Sequence, residues 1–409
     1  MDGKKNKWKR VTGIVALLIV TNLITLGLSN YISFKLPDGK VIVSRKTYEN
    51  IVDFEKLYTI KDKLDRYYLG EIDINKLIDG AAAGMTEAVG DPYTTYMNAE
   101  EFKDFYSQTE GNYVGLGIQV GVKEDKIVVV ATFENSPAEK VGILSGDIIE
   151  SVNGTKVEGK DLEKAVKTMK GEKGEAVELT LSRENKGSFN VKTVRDEIEM
   201  ITVKKEMIDS QVGYIQVTMF DENTSSNFEN AIKDLNSKGM KSLIVDLREN
   251  PGGLLDQTVN MCSQFIPKNK NIVYTEDKNG NRKDYNSVGG IAEGLPLTIL
   301  IDEGSASASE IFTGAIKDYK LGTLVGTKTF GKGVVQTTFY RDRDGFRDGT
   351  ALKVTISKYY TPNGQNIHGI GIEPDILVEY PEELKGKAYD KSVDPQFEKA
   401  LEVAKEKIK

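Results

Sequence analysis

The sequence predicts a multidomain α/β protein, and three observations carry that reading. Apolar, β-branched runs such as Ser242–Arg248 and Leu297–Ile301 read as buried strands, and each passes through a turn into a pattern of helical spacing. A β-rich, glycine-punctuated stretch over 113–183 lacks those strand–turn–helix units. The 409 residues leave room for two or three domains.

At the amino end Lys4, Lys5, Lys7, Lys9 and Arg10 precede 11–28, a stretch without charge. Such a helix spans about 27 Å, close to the ~30 Å of a bilayer's hydrocarbon. The expectation is a single N-terminal transmembrane helix in the cytoplasmic membrane. Positive charge before it puts the amino terminus inside and the body outside. A cleaved signal peptide is the rival, although 29–34 offers no A-x-A-like pair. Residues 45–90 then repeat Phe54, Leu57, Tyr58, Ile60, Leu64 and Tyr67, and later Ile74, Leu77, Ile78, Ala81 and Met85, at helical spacing. Core packing is the default for such a stripe.

In the β-rich stretch, Gly115-Leu116-Gly117-Ile118 is followed by Gly146-Asp147-Ile148-Ile149 and Val152-Asn153-Gly154. Asp161, Leu162, Ala165 and Val166 fit a helix, and Arg183 ends the strand of Val177 to Ser182.

Farther on, Ser242–Arg248 runs into Glu249-Asn250-Pro251-Gly252-Gly253, and a helical pattern opens at Leu254. Exposed N–H groups of Gly252 or Gly253 supply half of an oxyanion hole in one reading. A phosphate loop is a weaker one, since neither glycine-rich phosphate motif is present. A plain turn is the third.

Leu297–Ile301 leads through Asp302-Glu303-Gly304 into Ser305-Ala306-Ser307-Ala308-Ser309-Glu310. Ser307 falls where a strand turns into a helix N-terminus. Free N–H groups and the helix dipole favour an anion there, and a tetrahedral oxyanion is one. Helix capping is the plainer role for these serines. Lys332 lies between Gly331 and Gly333, at the head of a Val- and Thr-rich run read as a strand. On such a strand Lys332, Val334 and Gln336 share a face, so Gln336 can orient the lysine. Burial lowers a lysine's pKa, as a general base requires. An ordinary surface lysine is the alternative. His368 is the only histidine, so a hydrolase has few other ways to activate a hydroxyl. A Ser-His-Asp triad through His368 is the competing arrangement.

Composition narrows the class. A net charge of -7 argues against nucleic acid. One cysteine, Cys262, allows no internal disulfide, and one Cys with one His excludes a conventional zinc site. Neither a metal nor a cofactor is expected. At the carboxyl end Asp394-Pro395 starts an amphipathic helix whose Phe397, Ala400, Leu401 and Ala404 face one way.

Taken in order, Val-Asp-Leu-Arg-x-Asn-Pro-Gly-Gly, Ser-Ala-Ser-Ala-Ser-Glu-Ile, Gly-Lys-Gly-x-x-Gln, Tyr-Tyr-Thr-Pro-x-Gly and Gly-Ile-x-Pro-Asp resemble a carboxyl-terminal processing protease, also called a tail-specific protease. The resemblance covers roughly 90–380. It implies Ser307 as nucleophile, Lys332 as base 25 residues on, and Gln336 assisting. It implies oxyanion donors at Gly252, Gly253 and the N–H of Ala308. The stretch 111–196 resembles a PDZ domain, which implies that Gly115, Leu116, Gly117 and Ile118 cradle a C-terminal carboxylate while the tail adds to the sheet edge. For Arg183 the resemblance implies a part in holding the active arrangement.

The expected layout is a cytoplasmic tail at 1–10, the membrane helix at 11–28 and a helical region at 29–110. An inserted PDZ domain at 111–196, a sandwich or barrel with two helices, precedes an α/β serine protease core at 197–385 and a C-terminal helix at 386–409. The implied activity is a serine endopeptidase of C-terminal tails outside the cytoplasm, pairing into a homodimer in some relatives. Members mature or degrade envelope proteins, and some cut a sporulation signalling protein. A catalytically idle PDZ scaffold is the alternative of a different class.

Overall fold

The computed structural model describes residues 15–21, 34–35, 41–133, 135–384 and 389–408. It divides into two units, Met1–Ala81 and Ala82–Lys409.

The transmembrane helix is corrected. Among the described residues no helix is long and apolar enough to cross a membrane. Of the expected span 11–28 only 15–21 are described, as a helical run of about 10 Å at 1.5 Å per residue. The rest of that span lies outside the described residues.

Residues 45–90 are helical as expected, in Arg45–Asp53, Glu55–Tyr67 and Ile74–Glu87. The first starts at Ser44, whose side chain accepts from the N–H of Thr47 at 3.1 Å. Core packing is not found, since none of the three helices contains a buried residue. Tyr48, Leu57, Tyr58, Ile60 and Ile78 stand exposed. Spacing specifies a stripe, not what covers it.

In the second unit a PDZ-type sheet runs Gly187–Val194, Ala176–Arg183, Ile148–Val152, Lys126–Thr132, Ile118–Lys123, all antiparallel. Ile118–Lys123 is its open edge. Ile127, Val129, Ile149, Leu179 and Leu181 fill the core beneath helix Leu162–Met169.

Residues beyond this module build a six-stranded sheet ordered Val203–Met207, Val212–Val217, Ser242–Asp246, Leu297–Ile301, Gly322–Gly326, Ile376–Leu377. All pairs but the first are parallel. Ser242–Asp246 and Leu297–Ile301 are buried at every position, as central strands covered on both faces must be. Helices Thr224–Ser237, Leu255–Ser263 and Ala308–Asp318 cover one face through Phe228, Met261 and Phe312, joined by Phe265 just past the second helix. The C-terminal helix Pro395–Glu406 covers the other with Phe397, Ala400 and Ala404. Asp394 caps it, accepting from the N–H groups of Gln396 and Phe397 at 2.9 and 3.1 Å. Arg248 clamps it to the sheet, reaching Asp246 at 2.7 Å and Asp394 at 2.8 Å with only 9% of its side chain exposed. Cys262 is buried in the core.

A second sheet runs Arg282–Asn286, Asn271–Asp277, Ala351–Tyr360, Val334–Phe339, and Thr95–Met97 also pairs with Ala351–Tyr360. The turns after the adjacent parallel strands Ser242–Asp246 and Leu297–Ile301 open at the same sheet edge. Ligands of α/β sheets bind outside that carboxyl edge.

Candidate active site

Ser307 is the N-cap of helix Ala308–Asp318 and has φ 55° and ψ -109°, outside the conformations serine prefers. Such strain persists only where the surroundings impose it. Here they do. Ser305 and Ser309 are fully buried. The Ser305 hydroxyl donates to the carbonyl of Leu247 at 2.8 Å, and that of Ser309 to the carbonyl of Asn250 at 2.9 Å. Tyr359 Oη donates to the carbonyl of Ser307 itself at 3.2 Å. Among the described residues the Ser307 hydroxyl donates to no acceptor, and as the helix N-cap it faces the N–H of Glu310. Of three serines, two pin the turn and the third, Ser307, keeps its hydroxyl proton unspent.

The glycine turn packs directly on it. Gly252 and Gly253 have φ of 105° and 145°, which a side chain would strain. A Cβ on Gly252 would sit 2.8 Å from Ser307 Cβ and 2.9 Å from the nitrogen of Ala308. The Gly252 N–H is already spent on Asn250 Oδ1 at 2.9 Å. The N–H groups of Gly253 and Ala308 have no acceptor among the described residues, which suits them to a developing oxyanion. Asn250 ties the turns together: its carbonyl accepts from Ala306 N–H at 3.0 Å, and its Nδ2 donates to Val217 at 2.8 Å.

Glu310, fully buried, joins the backbones of Ser307 and Lys332. Its carboxylate accepts from Ser307 N–H at 3.0 Å, Lys332 N–H at 2.8 Å, Gly331 N–H at 2.7 Å and Thr329 Oγ1 at 2.6 Å. Sequence reading passed over this residue as a linker. Its signal was the S-x-x-E capping pattern of Ser307 to Glu310, whose acid reaches back to the cap N–H.

Lys332 lies in a loop ahead of strand Val334–Phe339, not on it. A register irregularity between Val335 and Gln336 breaks the alternation as well. The shared-face argument for Lys332 and Gln336 therefore does not describe the backbone. Gln336 Nε2 donates to Thr355 Oγ1 at 3.2 Å. Burial pushes the Lys332 amine below the ordinary lysine range and the Lys353 charge adds to this, against opposition from Asp91 and Glu310. Its Nζ lies 4.8 Å from the ring centroid of Tyr93, another residue that sequence reading missed. His368 is exposed; its Nδ1 accepts from Gly333 N–H at 3.4 Å. Among the described residues no cluster of His, Cys, Asp and Glu is fit to hold a metal.

In the PDZ module Gly117 has φ 72°, and a Cβ there would meet Ser136 Cβ at 2.3 Å. Gly115 pairs with Asp196, while the carbonyls of Leu116 and Gly117 accept from Ala138 and Phe133. Beside the edge strand lies a cavity of about 330 Å³, lined by Leu116, Ile118, Val120, Val166, Met169 and Tyr113. Helix Ala99–Glu110 lines it too, through Asp104, Ser107 and Gln108. Ion pairs Lys170–Asp104 at 3.0 Å, Lys167–Glu100 at 2.6 Å and Lys103–Glu172 at 2.6 Å stitch that helix to the module. Arg183 bonds Asp147 at 2.6 Å and the carbonyl of Gly142 at 2.8 Å, and lies over Phe189, all within the module.

The chain is similar to known proteins in sequence and in fold. The chain matches peptidase family S41 over 211–378, a PDZ domain over 114–193 and the N-terminal domain of the activating protease CtpB over 35–101. It is 36% identical to the carboxy-terminal processing protease CtpA of Bacillus subtilis over 377 residues, covering 92% of this chain and 79% of that one. A Bacteroides fragilis chain assigned to the S41 proteases shares the fold with a TM-score of 0.55 at 16% identity, over 83% of this chain and 93% of that one. A photosystem II D1 C-terminal processing protease aligns at 27% identity and a TM-score of 0.47, over 80% and 89%.

Proposed function

The chain belongs to the carboxy-terminal processing proteases of peptidase family S41, and from that premise we propose that Ser307 and Lys332 form its catalytic dyad. It is a serine-type C-terminal processing protease carrying a PDZ domain, which sets aside an idle scaffold. In the proposed mechanism Ser307 Oγ attacks the scissile carbonyl and its proton passes to the neutral Nζ of Lys332. The oxyanion takes the N–H groups of Gly253 and Ala308, with Gly252 as the close-packed spacer. The Lys332 ammonium returns the proton to the leaving amine, and water then hydrolyses the acyl-enzyme. Gln336 is assigned to assisting the lysine on the resemblance alone, since its Nε2 donates to Thr355 Oγ1. The observation that carries this reading is the buried Glu310 carboxylate, which binds the backbone N–H groups of both Ser307 and Lys332.

The test is direct. Ser307→Ala, Lys332→Ala and Lys332→Arg each abolish peptide cleavage in folded enzyme, the last because a guanidinium is no base near neutral pH. His368→Ala retains turnover. Full activity of folded Lys332→Ala refutes the dyad.

Protein tails are the substrates this reading assigns. The Gly115–Ile118 loop and the cavity beside it support capture of a free C-terminal carboxylate, so amidating a substrate tail weakens binding at least tenfold. Arg183 is assigned to shaping this module through Asp147. The basic residues Lys4 to Arg10 ahead of an uncharged stretch support a catalytic body outside the cytoplasm, acting on extracytoplasmic proteins. Sporulation signalling proteins are included among candidate substrates on resemblance alone. The exposed stripes of helices Arg45–Asp53 and Glu55–Tyr67 support a homodimer, which sedimentation with and without residues 41–81 tests.

A further inference from the structure

The Lys332 side chain has an unusual neighbour for a proton acceptor. Its Nζ makes no hydrogen bond or ion pair among the described residues and lies over the face of Tyr93, 4.8 Å from the ring centroid. The segment that carries this ring is held from several sides. Asp91 Oδ1 accepts from Tyr93 N–H at 3.2 Å, and Asp91 Oδ2 accepts from Thr94 Oγ1 at 2.5 Å. Thr94 Oγ1 accepts from Thr355 N–H at 3.1 Å, and Thr95–Met97 pairs with Ala351–Lys353. The edge of the ring meets His368, with centroids 6.3 Å apart. Burial, with the Asp91 and Glu310 carboxylates, pushes the Tyr93 phenol up, so the ring is neutral where the enzyme works.

We propose that Tyr93 is a positioning residue of the dyad, whose ring holds the Lys332 head in its protonated form and releases it as the neutral amine that serves Ser307. The inference rests on the reading of Lys332 as base. Its physical ground is an asymmetry: a ring quadrupole attracts an ammonium and has little hold on an amine. The contact therefore exists chiefly in one protonation state and favours it. Four other charged or titratable groups bear on the same head or its ring. Asp91 and Glu310 also favour the ammonium, Lys353 opposes it, and His368 packs edge-on with the Tyr93 ring. Removing the ring while keeping apolar cover takes away one support of the ammonium and leaves these four in place.

The experiment follows labelling of Ser307 by a sulfonyl fluoride, read as intact mass, across pH 5 to 10 in the full chain. The rate rises as Lys332 loses its proton. Tyr93→Leu is expected to move the midpoint down by roughly half to one pH unit. Labelling well below the midpoint is then about three- to tenfold faster than in the wild type. Tyr93→Phe keeps the ring and the wild-type midpoint. A midpoint unchanged in Tyr93→Leu, or moved equally in Tyr93→Phe, overturns the proposal. Should Tyr93→Leu melt below the assay temperature, Tyr93→Trp decides: the stronger ring raises the midpoint, and an unmoved or lowered one overturns the assignment. Lys332→Ala separates the two levels. If it labels as fast as wild type at every pH, the dyad itself falls, whereas a dead Lys332→Ala with an unmoved Tyr93→Leu removes Tyr93 alone.

Discussion

Replacing Glu310 by glutamine tests whether one buried carboxylate aligns the two halves of the site. Glu310 is fully buried and accepts four hydrogen bonds, two at each oxygen. The amide keeps one acceptor oxygen, which can still serve Thr329 and Gly331. Its NH2 group then faces the N–H groups of Ser307 and Lys332, donor against donor. Two charge-assisted bonds of roughly 1.5–3 kcal/mol each are lost, about 3–6 kcal/mol in all. Part of this appears as lowered stability and part as misalignment of Ser307 and Lys332. With half of the loss in the transition state, kcat falls about tenfold to a hundredfold, since ~1.4 kcal/mol is a decade. KM changes little, because the PDZ cavity lies elsewhere. The assay is steady-state cleavage of a fluorogenic tail peptide, with a thermal melt to show that the variant is folded at the assay temperature. A folded Glu310→Gln with wild-type kcat refutes the reasoning, as does a loss confined to KM.

Three further outcomes are expected. Burial and Lys353 hold the Lys332 amine below its ordinary range, so the acid limb of kcat/KM falls below pH 10.5 and Lys353→Met moves it upward, which a pH–rate profile measures. Arg248→Met leaves Asp246 and Asp394 as buried unpaired carboxylates at a cost of about 3–5 kcal/mol, and limited proteolysis should then release the C-terminal helix early; a helix as resistant as in the wild type contradicts the clamp. Burial raises the folded pKa of Asp302, so its stabilising contribution is full below the unfolded value of 3.8 and is lost as pH rises through the folded value of about 6. Asp302→Asn should therefore raise the melting temperature more at pH 8 than at pH 4.5, and an equal change at both pH values rejects that account.

Much of the site was legible in the chain because it rests on local rules. Strand, turn and helix succeed one another at 242–263 and 297–318, and each turn carries its chemistry within a few residues. Ser307, Lys332 and the glycines could thus be offered as candidates, with their roles implied by the resemblance of the ordered motifs. The C-terminal helix announced its own start, since Asp394 and Pro395 are a cap and a first-turn residue whatever they pack against. Tertiary structure decided the rest. Whether the stripes at 45–90 are covered depends on partners that spacing does not encode, and in this fold they stand exposed. The membrane helix was inferred from hydropathy over 11–28, and no described helix has the length for it. Glu310 touches Thr329, Gly331 and Lys332, and Tyr93 touches Lys332, across separations at which sequence patterns lose force. Sequence therefore determined which residues can do chemistry. Folding alone decided which hydroxyl keeps its proton unspent, which N–H groups are left to donate and what surrounds Lys332, because these are properties of packed neighbours from distant parts of the chain.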